Sequence, residues 1–65
     1  MEKLTVRENE VYRLMVTGDT YKQIGMKLGI SPRTVKEYVK HIKEKCNALN
    51  SVEMVYKIEN QVYFN

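Results

Sequence analysis

From residue 20 to residue 46 the chain reads TYKQIGMKLGISPRTVKEYVKHIKEKC: two helical patterns parted by a glycine and restarted by a serine–proline pair. No other segment restricts the fold so strongly. Thr20 stands at an N-cap position before Tyr21, Ile24, Gly25 and Leu28, which recur at helical spacing and make an inner face. Gly29 supplies the positive φ that a tight turn between two helices requires. Ser31 caps the second helix, and Pro32 takes its first position, where a missing N–H costs nothing. Beyond them Val35, Tyr38, Val39, Ile42 and Cys46 form an apolar stripe, while Arg33, Lys36, Glu37, Lys40 and Lys43 face the other way. Gly25 lies on the inner face, and a residue without Cβ there lets the two helix axes cross closely. The result is a helix-turn-helix over about residues 20–46, its second helix packed on one side and presented on the other.

The remainder of the chain reads as helix before and after this unit. Thr5 and Glu8 have the spacing of a capping box, and Val11, Leu14 and Met15 follow as a stripe, with Leu4 or Val6 closing over the start. The Gly18–Asp19 pair stops this helix. The two middle helices should cover about 21–28 and 32–45. Residues 47–50 break the pattern, and Asn50 or Ser51 caps a last helix over about 51–60. Its apolar positions are Val52, Val55 and Tyr56, joined by Met54 and Ile58 as weaker candidates. Residues 61–65 read either as a final turn under the core or as a loose tail. The expected fold is all-α, four helices in one domain over residues 1–65.

Sixty-five residues bound the options further. The core of such a chain is marginal, which favours local helical contacts and help from dimerisation. A lone cysteine, Cys46, continues the stripe of the third helix and reads as a reduced core residue. There is neither a membrane-length apolar run nor a signal-peptide pattern, so a cytoplasmic protein is expected. Paired carboxylates, Cys/His or Ser/His arrangements and phosphate-cradling glycine loops are missing from the sequence, which argues against an enzyme. His41 has no second ligand at useful spacing, so neither a metal nor any other cofactor is expected.

The net charge of +3 acquires meaning from its location. Residues 31–46 carry five basic side chains (Arg33, Lys36, Lys40, Lys43, Lys45) against Glu37 and Glu44, and the other residues balance at six of each sign. A basic excess confined to one helix suits a polyanion partner, since every phosphate contact releases counterions. A solvated helix with mixed charges is the plainer alternative, and for Lys43 or Lys45 alone it is the better reading.

The chain resembles the LuxR/GerE-type DNA-binding domain of transcription regulators. The resemblance runs through Leu4-Thr5-Val6-Arg7-Glu8-Asn9-Glu10-Val11, Gly18, Thr20-Tyr21-Lys22-Gln23-Ile24-Gly25, Leu28-Gly29-Ile30-Ser31-Pro32-Arg33-Thr34-Val35-Lys36 and Ile42-Lys43-Glu44-Lys45, covering about residues 4–56. It implies four helices, the middle pair reading DNA and the fourth serving dimerisation. Departures are Gln23 for a usual Glu, Gly25 for Ala, Tyr38 for His, Cys46 for Leu and Ser51 for Arg, the last removing a phosphate contact or a local ion pair. The chain resembles the stand-alone, GerE-like members, so regulation is expected through abundance or a partner.

In a helix-turn-helix the second helix lies in the major groove, its N-terminal residues nearest the bases. That makes Lys36, Glu37 and Lys40 the candidate base contacts, the positions to which the resemblance also points. Lysine donates to guanine O6 and N7, and glutamate accepts from cytosine N4. Glu37 either reads a cytosine or pairs with Lys40 at i,i+3. Tyr21, Lys22, Ser31, Arg33, Thr34 and Lys43 are the candidate backbone contacts, helped by the two helix N-termini. Val52, Val55, Tyr56 and Glu59, at i, i+3, i+4 and i+7, form the expected homodimer interface. Double-stranded DNA is the expected partner. A second expectation is a protein-interaction module that pairs with and modulates a larger transcription regulator. Among protein partners, another transcription regulator or RNA polymerase is expected.

Overall fold

The computed structural model describes residues 3–61, and among these it contains four helices and no strand. They are α1 (Val6–Val16), α2 (Tyr21–Leu28), α3 (Pro32–Lys45) and α4 (Ser51–Asn60). Each begins where a short polar side chain satisfies an N–H that the helix itself leaves free. Thr5 accepts from the N–H of Glu8, whose carboxylate returns to the N–H of Thr5, completing the capping box. Thr20 and Gln23 make the same reciprocal pair at α2. Ser31 caps α3 ahead of Pro32, and of the two candidates for α4 the cap is Asn50.

The ends are also set locally. Gly29 closes α2 at φ 72°, the left-handed conformation its position demanded. Gly25 is needed for a closer contact than the crossing of two helix axes. A Cβ there would stand 2.4 Å from the carbonyl oxygen of Ile30, in the turn itself, and 3.4 Å from the backbone at Ser31 and Pro32. Asn47 ends α3 at φ 55°, with the Ala48 N–H reaching back to the Lys43 carbonyl at 2.8 Å.

α3 is the central element and touches each of the other three helices. Its Val35, Val39, Ile42 and the capping Cys46 meet Val11 and Tyr12 of α1, Ile24 of α2 and Met54 of α4 in one buried cluster. Met54, a weaker candidate in the sequence, is therefore the core residue of α4. Val52 is 81% exposed and Tyr56 61% exposed. Leu4 packs against the cluster, and Val6 is solvent-facing, which decides the choice between them at the start of α1. The final turn or tail read for residues 61–65 lies, from residue 62 on, outside the described residues.

Candidate nucleic-acid interface

The apolar spacing of α3 buries one side of the helix and so fixes the other. Arg33, Lys36, Glu37 and Lys40 are exposed, and Lys43 is half-buried at the edge of the same surface. With Tyr21 from the start of α2, these residues line one concave surface that continues past Pro32, Glu44 and Ala48. Ser31 and Thr34 sit at the N-terminus of α3, outside that concavity, with their hydroxyl oxygens 3.0 Å apart. The Ser31 oxygen also accepts from the Thr34 N–H at 3.1 Å. Lys22 is exposed in the first turn of α2.

Electrostatics distinguish these two helices from their neighbours. The first turns of α1 and α4 carry Glu8 and Glu53, whereas those of α2 and α3 carry no acidic residue. At α2 the capping box uses the neutral amide of Gln23. The partial positive charge of both N-termini is thus left for an external anion.

One basic residue of α3 does not belong to the presented face, and solvation does not describe it. Lys45 turns toward α1, where its Nζ lies 2.6 Å from Glu8 Oε1 and also donates to the carbonyl of Lys3. Both side chains are largely withdrawn from water. Burial pushes the Glu8 carboxyl up, but the hydrogen bonds from Lys45 and the Thr5 N–H, together with the ammonium charge, hold it below its ordinary value. The pair anchors the C-terminal end of α3 to the N-cap of α1. Nothing in local spacing announced it, because the partners are 37 residues apart.

A second cross-link holds α4. The Tyr12 hydroxyl donates to Glu59 Oε2 at 2.5 Å. Burial, then the hydrogen bond to Glu59 and its negative charge, push the phenol well above its ordinary value. Glu59 is thus committed within the chain while remaining exposed, next to Val52 and Tyr56 on a helix whose Val55 is half-buried. Met15 and Val16 of α1, Tyr21 of α2 and Ser51, Val52 and Val55 of α4 line a shallow, mostly apolar groove. The Cys46 thiol is buried, which raises its titration point, and its Sγ lies 3.7 Å from the Lys43 carbonyl. Among the described residues no cluster of His, Cys, Asp and Glu is placed to hold a metal ion, and no helix is long and apolar enough to cross a membrane.

Residues 2–58 match the family model described as bacterial regulatory proteins, luxR family. Among curated proteins, the chain is 46% identical over 50 residues to an uncharacterized transcriptional regulatory protein, YvfU, of Bacillus subtilis, covering 77% of this chain and 25% of that protein. It is 40% identical over 52 residues to the probable transcriptional regulator ycf29 of Guillardia theta, covering 80% and 25%. To the transcriptional regulatory protein DesR of Bacillus subtilis it is 34% identical over 61 residues, covering 94% and 31%. The chain thus spans between a quarter and a third of the length of these relatives. No solved structure matches it.

Proposed function

The chain belongs to the luxR family of bacterial regulatory proteins, and on that premise we propose that it binds double-stranded DNA as a homodimeric transcription regulator, α3 in the major groove. The observation that carries this reading is the exposed face of α3, where Arg33, Lys36 and Lys40 stand clear of the core beside two helices whose first turns carry no acidic residue. Lys36, Glu37 and Lys40 lie in the second and third turns of α3 and meet base edges. Arg33, Ser31, Thr34, Lys43, Lys22 and Tyr21 flank them and hold phosphates, which fix register. The role is that of a binding domain acting in transcription control, with no reaction of its own.

Dimerisation is proposed through α4. Val52 and Tyr56 leave apolar surface in water next to Val55, and a second copy of the helix would cover it, with Glu59 at the rim. Two α3 helices would then reach half-sites about 34–36 Å apart, one turn of duplex.

Binding to duplex DNA over a salt series tests the reading, comparing the wild type with Lys36→Ala/Lys40→Ala. A steep fall of log affinity with log salt is expected. Each lost phosphate contact would reduce the slope by about 0.9, so weaker binding at an unchanged slope marks the two lysines as base contacts. Failure of the folded protein to bind at low salt refutes direct DNA reading. A loss of function on changing Val55 or Tyr56, with none on changing Lys36 and Lys40, would point instead to a protein-interaction module.

A further inference from the structure

The carboxylates of the described residues divide into two groups. Glu8 is held by Lys45 and the Thr5 N–H, Glu10 by Arg7, Asp19 by Lys27, Glu53 by the N–H of Leu49, and Glu59 by Tyr12. Glu37 and Glu44, both on α3, have no such partner among the described residues. The i,i+3 pair between Glu37 and Lys40, one of the two explanations open for Glu37, is not formed, although both side chains are exposed on the same concave surface.

An unpaired carboxylate on a face meant for a polyanion repels every phosphate it approaches. It is compatible with DNA only where a donor edge is presented to it. In the major groove such donors are the amino groups of cytosine and adenine, and adenine sets its N7 acceptor beside N6. A carboxylate next to N7 meets a second lone pair. Cytosine offers N4–H2 with no acceptor of its own alongside, and its paired guanine turns O6 and N7 toward any neighbouring ammonium. Lys36 and Lys40 bracket Glu37 on α3 and supply that ammonium.

Resting on the proposed DNA-binding mode, we infer that Glu37 is a specificity-determining residue that selects a cytosine in each half-site, within a C·G pair whose guanine faces Lys36 or Lys40. Glu44 has the same charge and the same lack of a partner, but it lies at the C-terminal end of α3, away from the residues nearest the bases. It serves as the built-in control.

The test uses the intact chain and a random-sequence duplex pool, from which the wild type, Glu37→Gln and Glu44→Gln are each made to select. The expected wild-type motif has one strongly preferred cytosine per half-site. Glutamine offers a donor and an acceptor that match adenine N7 and N6, so Glu37→Gln should move that one position from cytosine to adenine and leave the others unchanged. On the wild-type duplex it should bind about 5- to 150-fold more weakly, while binding a mixed-sequence duplex more tightly, because a phosphate repellent has gone. Glu44→Gln should tighten both duplexes alike and keep the motif. A Glu37→Gln variant that keeps the wild-type motif and tightens every duplex equally overturns the inference and leaves the DNA-binding reading intact. A wild type that binds duplex DNA but enriches no motif also overturns the inference, whereas one that binds no duplex even at low salt refutes the DNA-binding reading itself.

Discussion

Replacing Lys45 with methionine removes one ammonium group and leaves Glu8, 5% exposed, with only the Thr5 N–H as a partner. Breaking a buried ion pair from one side costs about 3–5 kcal/mol, because the remaining charge stays desolvated. The Lys45 side chain keeps 18% of its exposure, so water reaches the gap and about 2–3 kcal/mol is the better figure. A domain of this size has a total stability of about 3–10 kcal/mol. The loss should therefore lower Tm by about 10–20 °C. The pH dependence separates this from simple loss of packing. Because Glu8 is held below its ordinary value, the pair's contribution is complete above the unfolded carboxylate range and disappears as pH falls through the folded value. In Lys45→Met the buried carboxyl instead gains from protonation. Urea unfolding followed by far-UV circular dichroism should show the full gap at pH 7 and a much smaller one near pH 3. A loss below about 0.5 kcal/mol at pH 7 would place the pair with weak surface bridges. An equal loss at both pH values would refute the electrostatic argument.

Gly25→Val should cost about 2–3 kcal/mol, measured by thermal melting, because its side chain must displace the Ile30 carbonyl rather than a flexible neighbour. A melting point within 2 °C of the wild type, a margin of about 0.5 kcal/mol, would show that the turn opens freely. Tyr12→Phe should cost about 1–2 kcal/mol and speed amide exchange selectively at the C-terminal end of α4, where Glu59 loses its donor. Uniform exchange along α4 would contradict that anchoring role. Tyr56→Asp should convert the protein to a monomer in sedimentation equilibrium with its helix content unchanged, since Tyr56 is exposed in the single chain. A dimer of undiminished affinity would place the interface elsewhere.

The helices were legible because their determinants lie within one turn of each other. Thr5 with Glu8, Ser31 before Pro32 and Gly29 after Leu28 act over at most three residues, and all behave as their spacing suggests. The Thr20–Gln23 box was just as accessible, since Gln satisfies the same geometry as Glu. Tyr12 was within reach too. It shares a helical stripe with Glu8, Val11 and Met15, the spacing that marks an inner face. The outward face of α3 followed from the apolar face, because a helix that buries one stripe must present the opposite one.

The sequence by itself determined four helices, the caps of the first three and the basic side of α3. Tertiary structure alone decided which charges are free to meet a partner. Lys45 looks like Lys43 in a one-dimensional pattern, yet α1 brings a carboxylate to one and not to the other, from 37 positions away. Tyr12 and Glu59 meet across 47 positions, and Met54, rather than Val52 or Tyr56, is the residue of α4 that enters the buried cluster. Helical spacing governs side chains three and four apart. Beyond that reach, packing against other helices settles whether a side chain meets water, an apolar wall or an opposite charge.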